Sequence, residues 1–156
     1  AIAWAINDGP VHSLCMTEER EMIQHALDVI KTDAGDHPSN IWVGHNIQEF
    51  DLPVLRFRCM DLNIVRSQVL PPKTSKYNDE CVHDTLKMLA GRDFKGYGLD
   101  NMARRLGMSE QKTPDVSGAD VLYLWQTGEL EKIKQYCAQD VEVTRALYHR
   151  ISLWYL

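Results

Sequence analysis

The sequence predicts a single α/β domain, and three observations carry that prediction. Short apolar runs with strand character, AIAWAI at Ala1–Ile6 and IWVG at Ile41–Gly44, alternate with segments whose apolar residues recur at helical spacing. A chain of 156 residues with 44% hydrophobic and 25% charged side chains has the size and make-up of one core, and dividing it would leave each half marginal. No internal repeat, low-complexity tract or linker interrupts it, so residues 1–156 are expected to form one domain.

The first strand, Ala1–Ile6, runs into Asn7-Asp8-Gly9-Pro10, which is turn chemistry, and Val11–Cys15 reads as its hairpin partner. Thr17 is placed to cap a helix with Glu18 and Glu19 in its first turn. Met22, Ile23, Ala26, Leu27 and Ile30 form its apolar stripe, and it is expected to end near Lys31, before the loop Asp33–Asn40. After the buried strand Ile41–Gly44 the rhythm turns helical, with Phe50, Val54, Leu55 and Phe57, so the helix is expected to start at Asn46. Arg66–Asn78 is an irregular connector with paired prolines. Cys81 and Val82 suggest a short strand before a helix capped by Asp84 or Thr85 and carrying Leu86, Met88 and Leu89. Leu99–Leu106 is a further amphipathic helix closed by Gly107. The loop KTPDVSG then leads to helical Ala119–Gln126 and to Glu129–Tyr155, as one long helix or two that abut.

The formal net charge of −5 argues against a protein that coats nucleic acid by counterion release, but an acidic chain suits a site built to hold cations. Cys15, Cys59, Cys81 and Cys137 lie far apart with no zinc-finger spacing and read as reduced thiols. No run approaches membrane-spanning length and no signal pattern opens the chain, so no membrane partner and a cytoplasmic location are expected.

Two clusters carry the chemistry. In the first, Asn46 at a strand exit stands five residues ahead of Asp51, with Phe50 between them, at the sheet edge where open α/β folds bind ligands. In the second, Tyr136 and Asp140 lie one helical turn apart, beside the apolar stripe Ile133, Cys137, Val141 and Leu147. Phosphodiester hydrolysis needs an activated water and charge compensation at both the attacking and leaving oxygens, which two divalent cations about 4 Å apart supply. Such hard ions take carboxylate oxygens gathered from separate elements.

Asn46-x-x-x-Phe50-Asp51 and Tyr136-x-x-x-Asp140 resemble the second and third motifs of the DEDD 3′–5′ exonucleases, a family that includes polymerase proofreading domains. The histidine subtype would need His where Gln135 stands, so the tyrosine subtype, DEDDy, is the match. GLDNMARRLGM with Lys112-x-x-Asp-Val-Ser-Gly-Ala-Asp-Val121 is also similar to stand-alone exonucleases related to the exonuclease domain of family-B DNA polymerases.

The resemblance implies an RNase H-like mixed five-stranded sheet flanked by helices. It implies Mg²⁺ or Mn²⁺, two ions in all, held by Asp51 and Asp140. Tyr136 would orient the attacking water, and Asn46 and Phe50 would lie along the terminal nucleotides. The expected substrate is the 3′ end of single-stranded or frayed DNA, with release of nucleoside monophosphates in a repair or proofreading role. The sequence departs from the family at its first motif: no Asp-x-Glu stands on a strand ahead of the hairpin. The hairpin then corresponds to the family's second and third strands. The first strand, with two of the four carboxylates, is expected between the hairpin and Ile41–Gly44, from a segment upstream of Ala1.

Two rivals stand beside this reading. One is a catalytically inactive binding or scaffold module, the other an RNA-trimming enzyme. His45 and His83 read as structural, Asp84 as a helix cap and Asp100 as a surface acid. Lys73, Lys76 and Tyr77 in the connector, and Lys112 beyond it, are weaker candidates for touching a single strand.

Overall fold

In the computed structural model, residues 1–35, 40–65, 69–71, 80–90, 95–108 and 116–155 are described. Lys73, Lys76 and Tyr77 of the connector lie outside them, as does Lys112 with residues 113–115 of its motif. The chain begins with an antiparallel hairpin, β1 (Ile2–Ala5) and β2 (Val11–Leu14), in which Trp4 faces His12 with ring centroids 5.4 Å apart. Helix α1 (Glu19–Ala34) follows, and then β3 (Trp42–Gly44), α2 (Asp51–Asp61), β4 (Val82–Asp84) and α3 (Thr85–Ala90). Helix α4 (Leu99–Arg105), a short 3₁₀ turn (Gly118–Asp120), α5 (Val121–Gln126) and α6 (Leu130–Tyr155) complete the order.

β3 and β4 pair in parallel, Trp42 opposite Val82 and Gly44 opposite Asp84, so both strands end at the same edge. Among the described residues the strands form two separate two-stranded sheets, the hairpin and the parallel pair. The α/β class holds. Among the described residues there are four strands, and the two sheets are not hydrogen-bonded to each other, so the expected five-stranded sheet is not formed by them alone.

Helix α6 ties the parts together. It packs against β1, β2 and β3 and against α3, α4 and α5. Ile133, Val143, Leu147 and Ile151 recur along one face of it and are at most 3% exposed. Removing a side chain of that size from water stabilises by about 1.5–3 kcal/mol. Arg145 anchors the hairpin turn by donating to Gly9 O at 2.6 Å, and Arg150 holds the end of α4 through Leu106 O at 3.1 Å. A second core gathers Met22, Ile23 and Leu27 of α1 with Leu52 and Cys59 of α2 and the fully buried Val82.

Several boundaries shift from the sequence reading. Glu18, not Thr17, occupies the N-cap of α1, and the helix continues to Ala34 until Gly35 turns left-handed at φ 70°. The strand before α3 is Val82–Asp84 rather than Cys81–Val82. α6 is one helix. Gly107 ends α4 as expected: at φ 70° its N–H reaches Arg104 O, and that of Met108 reaches Ala103 O, a complete Schellman closure. All four cysteines are free thiols. Among the described residues no helix is long and apolar enough to cross a membrane.

Candidate active site

The site forms where β3 and β4 end. β3 does not pass directly into a helix at Asn46, as periodicity suggested, because Asn46 adopts a left-handed φ of 64°, a conformation that Asn tolerates better than most residues. The chain instead winds through a turn in which Phe50 N–H reaches Asn46 O at 3.0 Å and Leu52 N–H reaches Ile47 O at 3.0 Å. α2 therefore starts at Asp51. Phe50 holds its N-cap position with no side-chain cap, so Asn46 is not the cap. Gly44 makes the turn possible, since a Cβ there would lie 2.5 Å from the Cβ of Ile47.

Across the parallel pair, Asp84 is 3% exposed and takes three backbone N–H groups. Its Oδ1 accepts from Asn46 at 2.9 Å and from Leu86 at 3.0 Å, and its Oδ2 accepts from Gln48 at 3.1 Å. The bond from Leu86 is the expected cap of α3. The bonds from Asn46 and Gln48 reach into the neighbouring loop, which sequence reasoning did not foresee.

Asp51 is exposed at the start of α2, yet protein surrounds enough of its carboxyl for burial to raise its pKa. The like charges of Asp84 and Asp140 add to that rise, although its own backbone N–H opposes it. Carboxylates from two other elements, β4 and α6, thus act electrostatically on Asp51. On α6, Asp140 is half-buried with Oδ1 shielded from solvent, and Tyr136 is half-buried one turn earlier. The Tyr136 hydroxyl lies against the 3₁₀ turn, where a Cβ on Gly118 would sit 3.7 Å from it. Cys137, next to Tyr136, has its thiol pKa raised by burial, with Asp140 and Asp51 contributing. Phe50 is 61% exposed at the mouth of the same loop.

Of the residues singled out from sequence, Asp51 and Asp140 come within electrostatic reach of each other, and Asn46 and Phe50 flank Asp51 on one loop. Asp84 is the member that sequence reasoning assigned only to capping. The available signal was its place at a strand exit, in line with Gly44 of the neighbouring strand. His45 and His83 have structural partners, His45 Nδ1 at 2.9 Å from Thr85 Oγ1 and His83 Nδ1 at 2.6 Å from the Tyr148 hydroxyl. Among the described residues no three His, Cys, Asp or Glu side chains cluster tightly enough to hold an ion alone.

Comparison with known proteins agrees with this architecture. A DNA polymerase from Archaeoglobus fulgidus is 28% identical over 134 residues, a match covering 79% of this chain and 16% of the polymerase. This chain therefore spans only a small part of that relative's length. No solved structure matches it. Residues 8–155 match the family of predicted 3′–5′ exonucleases related to the exonuclease domain of PolB, and with nearly the whole chain inside that match, the protein belongs to this family.

Proposed function

We propose that the chain is the 3′–5′ exonuclease domain, over residues 1–156, of an enzyme that hydrolyses the terminal phosphodiester of single-stranded or frayed DNA and releases nucleoside monophosphates. The observation that carries the reading is that Asp51, at the start of the helix after β3, feels the negative charges of both Asp84, at the end of the parallel strand β4, and Asp140 of α6. Negative charge gathered at a partly desolvated carboxyl is a chemical environment that a divalent cation relieves, so Asp51 and Asp140 fit as ligands of Mg²⁺ or Mn²⁺. When bound, such ions neutralise charge on the scissile phosphate and make water nucleophilic near neutral pH.

The protein's own side chains do the rest. Tyr136, one turn ahead of Asp140, orients the attacking water through its hydroxyl. Asn46 presents its amide to the terminal nucleotide from a loop held in place on both sides. Phe50, exposed at the loop's end, offers a ring face on which a base can stack. The separation of the hairpin from the parallel pair, with α6 packed against both, supports an RNase H-like sheet that a further strand between them would complete to five.

The test is cleavage of 5′-labelled single-stranded DNA, and of the matching RNA, in millimolar-range Mn²⁺. It should be run on this chain and on the natural full-length protein that contains it. Stepwise shortening from the 3′ end, abolished by Asp51→Asn, is the expected result. Internal cuts, or cleavage indifferent to Asp51→Asn, would overturn the reading. Binding without cleavage by the full-length protein would favour the inactive module, and faster RNA shortening would move the substrate to RNA.

A further inference from the structure

We propose that Asp84 is a positioning residue: together with Thr85 and Lys87 it forms a template that sets the loop 44–50 and so aims Asn46, Phe50 and Asp51 at the substrate. The inference rests on the exonuclease reading above.

Each turn of that loop is tied to β4 or to the first turn of α3. Thr85 Oγ1 donates to Gly44 O at 3.2 Å and lies 2.9 Å from His45 Nδ1. A hydroxyl has one proton, so with that proton given to Gly44 O it is Nδ1–H of His45 that donates to Thr85. Asp84 takes the N–H groups of Asn46 and Gln48, the Gln48 side chain donates to Val82 O at 3.3 Å, and Lys87 Nζ donates to Gln48 Oε1 at 2.6 Å and to Glu49 Oε1 at 2.7 Å.

A free loop with a left-handed non-glycine residue has many alternatives. A buried carboxylate that collects the N–H groups on either side of Ile47 selects one of them. With three N–H groups already on its two oxygens, Asp84 has most of its acceptor capacity committed to backbone. Its nearness to Asp51 therefore serves geometry rather than direct ligation.

The experiment combines amide hydrogen exchange with binding of a single-stranded oligodeoxynucleotide in Ca²⁺, on the full chain and its Asp84→Asn and Lys87→Met variants. Asp84→Asn is expected to speed exchange at Asn46 and Gln48 by roughly tenfold or more while the Leu147 amide stays protected, and to weaken oligonucleotide binding by about tenfold. Lys87→Met touches only partly exposed bonds and removes no carboxylate. It should speed exchange at Gln48 and weaken binding to a lesser degree, and it decides the question if Asp84→Asn does not fold. Unchanged exchange in the variants, or faster exchange with binding equal to wild type, overturns the proposal. So does a binding loss that excess Ca²⁺ restores, since that marks Asp84 as a ligand. A wild-type chain that binds no oligonucleotide sinks the exonuclease reading and this inference with it, an outcome distinct from failure of the variants alone.

Discussion

His83 and Tyr148 meet between β4 and α6, with the imidazole Nδ1 2.6 Å from the phenol oxygen and the ring centroids 5.6 Å apart. This contact joins the strand that ends in Asp84 to the helix that carries Tyr136 and Asp140. Tyr148→Phe keeps the ring and removes the hydrogen bond. It should cost about 1 kcal/mol in denaturant unfolding, and a variant as stable as wild type would show that the bond contributes nothing net.

Asp51→Asn should separate stability from activity. Burial first, and then the charges of Asp84 and Asp140, disfavour the ionised carboxyl. Replacing it with a neutral amide of similar shape should leave thermal stability at neutral pH unchanged or raised, while cleavage by the active enzyme falls at least about a hundredfold. A clear loss of melting temperature would mean that the carboxylate is structurally satisfied rather than held for function.

Tyr136→Phe tests the water-orienting role. The ring remains, so unfolding should change little, whereas single-turnover cleavage should fall by about a hundredfold. Equal rates would return Tyr136 to the status of a half-buried aromatic beside the Gly118 turn.

Gly44→Ala probes the strand exit by geometry alone. The added methyl would meet the Ile47 Cβ at 2.5 Å and its Cδ1 at 2.8 Å, contacts that no rotamer change removes entirely. A destabilisation of about 1–3 kcal/mol is expected, together with displaced Asn46 and Gln48 amide resonances. A neutral substitution would show that the loop yields easily.

Acid should weaken the link between α1 and α2. Arg58 Nε donates to Glu19 Oε1 at 2.7 Å, and this bond, with the attraction of the guanidinium, holds the Glu19 pKa below its ordinary value of 4.5. A carboxyl whose folded pKa is lowered contributes stability above its unfolded pKa and loses it as pH falls through the folded value. The pair is partly exposed, so solvent screens much of it. Glu19→Gln should therefore melt slightly lower than wild type at neutral pH, and the difference should shrink below pH 4.5. A gap that persists in acid would assign the effect to packing.

Local chemistry made much of this protein legible before any coordinates. Asn7-Asp8-Gly9-Pro10 can only turn, Gly107 closes α4 because a left-handed residue is cheapest without a Cβ, and the stripe Ile133, Cys137, Val141 and Leu147 marks a helix with a buried face, of which Ile133 and Leu147 are fully buried and Cys137 and Val141 half-buried. Short-range spacing likewise pointed to Asp51, Tyr136 and Asp140, because one turn of helix and one strand exit are features that neighbouring residues specify. The start of α2 was misplaced because periodicity does not register a left-handed Asn46, whose N–H is bonded to Asp84 far along the chain. What tertiary structure alone decided is the company each residue keeps. The register that sets Gly44 beside Asp84 and the desolvation that raises the Asp51 pKa both arise from long-range packing, and no local pattern encodes which distant residue will fill a given side of a carboxylate.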